Sequence, residues 1–297
     1  MSGTEWSLLL FLAFLWGGSF FTAKVAGLEI PPLTLVLLRV AIAAGALLIV
    51  CRLKGIDLAL PPRLMGDFAV MGLLNNVVPF TLIFWAQLSI DSGLTSILNA
   101  TTPISTLVLA HLLLKDEKLT RGRMAGVLIG VGGAVAMIGP DLLQGLGRDA
   151  LAQLACLLAT VSYAFAGIWG RRFRDVPPLL TATGQLTAST AILLPVALLF
   201  DRPWELAAPS MGAWAAVLAL ALICTSAPYV VYFRLLATAG AGNLLLVTML
   251  VPAGAILLGA AFLDEVLLAR QWLGLGLIVL GLLVIDGRLA QALRRGA

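Results

Sequence analysis

Apolar runs of about twenty residues follow one another along the chain, each ended by a short polar or charged turn. A helix needs about 20 apolar residues to cross a bilayer. The pattern predicts such helices over 6–25, 33–51, 66–86, 94–114, 122–139, 149–169, 178–200, 211–235, 241–262 and 269–286. The expected fold class is an all-α membrane protein with ten transmembrane helices.

The third run is interrupted. Asn75-Asn76-Val77-Val78-Pro79-Phe80 puts two amides and a proline in the apolar stretch between Phe68 and Trp85. An unpaired amide costs several kcal/mol in hydrocarbon, and proline removes a backbone hydrogen bond. A segment serving only to hold the bilayer would read leucine throughout.

An internal repeat accounts for the interruption. Shifted by 149 residues, the stretch falls on Cys224-Thr225-Ser226-Ala227-Pro228-Tyr229. In the same register Phe84 meets Phe233, Gly93 meets Gly242, Asn99 meets Thr248 and Pro103 meets Pro252. At an offset of 146, Pro31-Pro32-Leu33 meets Pro177-Pro178-Leu179, and LLLKDEKL (112–119) echoes AAFLDEVL (260–267). Two five-helix units are therefore expected, 1–145 and 146–297. An odd number of spans turns the second unit over, which predicts inverted repeats around a central cavity.

Charge agrees with that topology. Of the 19 Lys and Arg residues, 14 fall in turns on one side of the predicted membrane and four on the other, with Arg39 inside a span. The excess marks the cytoplasmic side, so both termini are expected there. The composition, 61% hydrophobic and 11% charged with a mean hydropathy of +1.04, lies far from the roughly 25% charged residues of soluble domains. A pI near 9.3 would suit a nucleic-acid partner, but the basic residues are scattered through short loops and form no binding face. Cys51, Cys156 and Cys224 sit in apolar runs without CxxC spacing and imply no disulfide framework. The N-terminal stretch lacks the basic segment of a signal peptide and is expected to be the first span.

Inverted repeats with proline-interrupted helices at matching positions point to a carrier whose site lies at mid-membrane. The candidate kink residues are Pro79, Pro103, Pro228 and Pro252. Candidate substrate contacts from the paired polar clusters are Asn76, Asn99, Thr102, Thr225 and Thr248. Aromatics gather at similar depth, Phe20, Phe84 and Tyr232 among them, and Trp16, Phe80, Tyr163 and Tyr229 are set too deep for an interfacial belt. Of these, Trp16, Phe20, Phe80, Tyr163 and Tyr229 are candidate substrate contacts. Arg39 is the one formal charge well inside a span and should face the interior, while its repeat mate is Gln185. No Asp or Glu falls deep in a predicted span, so facilitated or weakly coupled transport is expected rather than carboxylate-based proton exchange. With one histidine and no such carboxylates, an intramembrane enzyme is disfavoured, and neither a cofactor nor a metal is expected.

Phe14-Leu15-Trp16-Gly17-Gly18-Ser19 with Lys24, then Pro31-Pro32-Leu33 leading to Leu38-Arg39, then Leu94-Thr95-Ser96 running through Thr102-Pro103 to Asp116-Glu117-Lys118-Leu119, form an ordered set. Pro252 and Asp264-Glu265 echo it. The set resembles the EamA-type ten-helix exporters of the drug/metabolite transporter superfamily over nearly the whole chain. Within them it is similar to the YddG-like aromatic amino acid exporters. The resemblance implies a basket of helices that rocks between two access states, peripheral fifth and tenth helices, and a site that includes Ser19. It also implies the bacterial inner membrane, with lipid and a small metabolite as partners and a monomer as the working unit. The second copy departs from the pattern: Trp-Gly-Ser has no counterpart in the sixth span, and Gln185 replaces the arginine. Amino acids, aromatic ones included, are the expected cargo, with lipophilic or multidrug cations as the alternative.

Overall fold

A computed structural model describes the backbone of residues 1–57, 61–90, 92–114, 119–138, 149–262 and 269–286. Among these residues every regular element is a helix. In chain order they are α1 (Gly3–Gly27), α2 (Pro32–Leu53), α3 (Pro62–Ala86), α4 (Leu94–Leu113), α5 (Arg121–Ile138), α6 (Ala150–Phe173), α7 (Pro178–Phe200), α8 (Met211–Ala239), α9 (Val247–Phe262) and α10 (Ala269–Asp286). Seven of the described helices, α1–α4 and α6–α8, are long and apolar enough to cross a membrane. Shorter apolar stretches run over Ala241–Gly254 and Trp272–Ile285. The acidic motif ends, Asp116-Glu117 and Asp264-Glu265, lie outside the described residues.

Proline pairs start three helices. Pro31, Pro61 and Pro177 are extended, with ψ of 153°, 144° and 131°, and Pro32, Pro62 and Pro178 take the first helical position. There the missing N–H costs nothing, and the residue before a proline is already biased away from helix. At α1, Ser2 and Glu5 form a reciprocal capping box.

The packing pattern survives an exchange of the first five helices with the last five. α5 lies on α10, α2 on α7 and α4 on α9. The contact of α1 with α9 is answered by α6 with α4, that of α3 with α6 by α8 with α1, and that of α3 with α7 by α8 with α2. The α5–α10 crossing is antiparallel and held by glycine. A Cβ on Gly126 would stand 2.6 Å from the Gly281 carbonyl oxygen, and one on Gly133 would stand 2.7 Å from that of Gly274. Small residues let backbones approach, which is how helices associate where no hydrophobic force separates lipid from leucine.

Polarity is arranged inside out. Phe11, Phe21, Leu53, Leu199 and Phe200 are each more than half exposed, while Asn75, Asn76, Gln185, Ser189 and Thr225 are buried at 0–1%. An apolar exterior over an interior that shelters its polar side chains suits lipid as the solvent.

Candidate functional site

The interruptions of α3 and α8 are π-helical turns, Leu73–Val77 and Ala219–Ser226, each followed at once by its proline helix, Pro79 or Pro228. In the first, the Val78 amide bonds to the Leu73 carbonyl five residues back. In the second, hydroxyls occupy carbonyls at the same spacing: Thr225 Oγ1 donates to Leu220 O (2.6 Å) and Ser226 Oγ to Ala221 O (2.9 Å). A π turn is a wide, irregular winding that frees backbone groups, and here side chains take up part of that freedom.

Each π turn is reached by a side chain from the opposite half. Arg39 on α2 donates from Nε to Thr225 Oγ1 (2.8 Å) and lays its guanidinium 3.8 Å above the Phe80 ring. Its repeat mate Gln185 on α7 accepts from Asn75 Nδ2 (3.1 Å), and Ser189, one turn on, accepts from Asn76 Nδ2 (2.8 Å). Tyr229 completes the bridge by donating to Asn76 Oδ1 (2.5 Å). In both halves a polar side chain of the second helix bonds to the opposite π turn, as a charged donor from Arg39 and as a neutral acceptor from Gln185.

Beside this bridge lies a cavity of about 50 Å³. Its apolar wall includes Trp16, Phe20, Phe80 and Phe84, with Trp16 edge-on to Tyr229 at 6.3 Å and Phe80 stacked on Phe84 at 6.2 Å. Polar lining comes from Ser19, Arg39, Asn75, Asn99, Tyr163 and Thr248. Three features leave polar capacity unused. No carboxylate faces Arg39 among the described residues, and neither Asn99 Oδ1 nor the Tyr232 hydroxyl has a hydrogen-bond partner, although all three residues are buried. A buried polar group without a partner is costly, and in a cavity it marks where a ligand atom would be welcome.

Of the twelve residues expected to touch substrate, nine line the cavity: Trp16, Ser19, Phe20, Arg39, Phe80, Asn99, Tyr163, Tyr229 and Thr248. Asn76, Thr102 and Thr225 stand behind the wall. Both ends of the Asn76 amide are bonded within the protein, the Thr102 hydroxyl donates to Asn99 O (2.6 Å), and Thr225 is held between Arg39 and Leu220. The lining residues Asn75, Phe84 and Tyr232 were not among those expected. Pro103 follows a break in helix α4 at Thr101, whereas Pro252 sits inside the continuous helix α9.

Clasps join α1, α2, α3, α6, α7 and α8 at both ends of the bundle. At one end Lys24 Nζ donates to Gln87 O (2.5 Å), Glu29 accepts from the Ser210 amide (2.7 Å) and hydroxyl (2.6 Å), and Asp201 accepts from the Thr34 amide (2.7 Å). At the other, Trp169 Nε1 donates to Asp67 O (3.2 Å), with Arg172 3.7 Å from the Asp67 carboxylate.

Comparison with known proteins agrees with this architecture. The EamA-like transporter family model matches residues 4–139 and again 150–286. The chain is 25% identical to the uncharacterized transporter YoaV of Bacillus subtilis, covering 92% of this chain and 94% of the relative. It is 25% identical to the uncharacterized inner membrane transporter YedA of Escherichia coli K12 (93% and 89% covered), and 28% identical to protein PecM of Dickeya dadantii (91% and 88%). A solved crystal structure superposes with a TM-score of 0.79 over 99% of both chains at 20% identity, a likeness of fold alone. With two successive family matches spanning most of its length, the chain belongs to the EamA-like transporter family.

Proposed function

We propose that this multi-pass transporter exports small zwitterionic metabolites, amino acids with aromatic side chains among them. The observation that carries this reading is the unused polar capacity of the cavity. Arg39 offers a cation with no carboxylate opposite it among the described residues, and Asn99 Oδ1 offers an acceptor with no donor, between aromatic walls. A carboxylate on Arg39, an ammonium on Asn99 and a flat side chain against Trp16 and Phe80 would use all three. A lipophilic cation would find the aromatic walls but also the repulsion of Arg39, which favours the zwitterion. That charge, present once, also leaves an organophosphate poorly neutralised.

Alternating access is the second part of the proposal: residues 1–145 and 146–297 act as inverted five-helix repeats that rock about the α3–α8 bridge, making ten spans with both termini in the cytoplasm of a bacterial cell. Support comes from the exchange symmetry of the packing, the antiparallel glycine crossing of α5 and α10, and the π turns 149 residues apart. No cofactor or metal is needed for this cycle, and one chain holds the whole cavity. Asn99, Tyr229 and Thr248 are buried, so loading requires the walls to part. Counterflow of radiolabelled amino acids into tryptophan-loaded proteoliposomes is the test. Accumulation supports the reading; accumulation of a cationic dye alone overturns it.

A further inference from the structure

A second cavity, of about 200 Å³, opens beside the first at the Lys24 end. Leu28, Leu35 and Leu88 give it an apolar wall, Lys24 and Gln87 give it a polar edge, and Phe84 lines both cavities and so forms the partition between them. Lys24 spends one N–H on the Gln87 carbonyl at the end of α3 and forms no salt bridge with a described carboxylate. The molecule therefore holds two cationic side chains in neighbouring cavities. Arg39 lies at the centre beside stacked Phe80 and Phe84, and Lys24 lies beyond the partition.

We infer that the Lys24 vestibule is a second station for the cargo. It receives the carboxylate of an amino acid leaving the central cavity on Lys24 and its apolar side chain on Leu28, Leu35 and Leu88. The inference rests on the amino acid reading above. An ammonium is suited to a passing station, because it binds carboxylate as a mobile, well hydrated point charge rather than as a fixed fork. Phe84 must swing for the cargo to pass, and its ring sits 5.8 Å from the Arg39 guanidinium, so the door borders the carboxylate's first anchor.

Counterflow of tryptophan measured separately at the two faces of oriented vesicles tests this station. Lys24→Met raises the KM about tenfold at the face that carries Lys24 and leaves the opposite KM and the saturated rate within about twofold; Lys24→Arg restores the KM. Gly27→Leu reaches the same outcome without touching charge. Gly27 lines the vestibule, and a Cβ there meets nothing nearer than Leu35 Cδ2 at 3.9 Å. Equal shifts at both faces, or no shift in either variant, overturn the station while leaving the cargo reading intact. Absence of counterflow in the unmodified protein overturns the cargo reading and, with it, the station.

Discussion

Tyr229 donates its hydroxyl hydrogen to Asn76 Oδ1 across 2.5 Å, although 153 residues separate the two in the chain. The bond joins the π turn of α3 to the helix that follows the π turn of α8, and Asn76 anchors in turn on Ser189. Tyr229→Phe removes the donor and leaves the amide oxygen bonded to nothing. It is expected to cost about 1 kcal/mol of stability, with a coupling to Asn76→Ala of about 0.6–1.7 kcal/mol in a double-mutant cycle. The measurement is thermal unfolding in detergent. Tyr232→Phe is the control: its hydroxyl has no partner to lose, so its stability stays level or rises.

Arg39→Gln copies into the first half what Gln185 already is in the second. The amide can still reach toward Thr225, so the fold survives, but the carboxylate anchor is gone. A hydrogen bond to a charged group is worth about 1.5–3 kcal/mol, so tryptophan affinity should fall by about 10- to 150-fold. Tryptamine, which lacks the carboxylate, should gain or hold. Equal losses for both ligands would assign Arg39 to packing.

Asn99→Ala removes an acceptor that nothing in the protein uses. Stability should not change, while the KM for amino acids rises about tenfold, the worth of one ordinary polar contact of about 1.4 kcal/mol. Transport assays paired with unfolding curves separate these effects.

At the α5–α10 crossing, Gly281→Ala places a Cβ 2.5 Å from the Gly126 carbonyl oxygen and 2.8 Å from the Gly130 amide, and backbone cannot move aside. Loss of several kcal/mol or failure to accumulate is expected. Gly276→Ala on the same helix meets nothing within 4 Å and should be silent, as expression and melting temperature will report.

Transport should proceed without a pH gradient, since no Asp or Glu is buried among the described residues. The Glu29 clasp behaves likewise. The Ser210 hydroxyl and amide hold its carboxyl below the usual carboxylate range, so its stabilisation is present at neutral pH and is lost only as pH falls through that depressed value. Flux in proteoliposomes should therefore be flat between about pH 8 and pH 5.5, well above the ordinary carboxylate range. A requirement for a proton gradient would contradict this.

The site was legible because Pro79 and Pro103 recur as Pro228 and Pro252, 149 residues apart, with amides beside the first pair and hydroxyls beside the second. Which amide faces the cavity was not legible. In an α-helix Asn76 shares a face with Phe80, four residues on. The π turn over Leu73–Val77 winds more residues into each turn, and Asn75, five before Phe80, comes to the wall instead. Periodicity read at 3.6 residues cannot see that shift. Thr102 and Thr225 were hidden differently: each hydroxyl donates to a carbonyl on its own helix, a local competition that polarity alone does not show. Tyr232 was legible only as an aromatic at the depth of Tyr229; that it meets the Tyr229 ring at 5.7 Å and lines the cavity needed the structure.

Cysteine accessibility at Thr248, a buried wall residue of the cavity, tests the central claim most directly. In a protein with Cys51, Cys156 and Cys224 replaced, Thr248→Cys should react with a membrane-impermeant maleimide applied from either face, and saturating tryptophan should slow both reactions. Labelling from neither face, or labelling indifferent to tryptophan, would contradict a hollow that opens to each side in turn around its cargo.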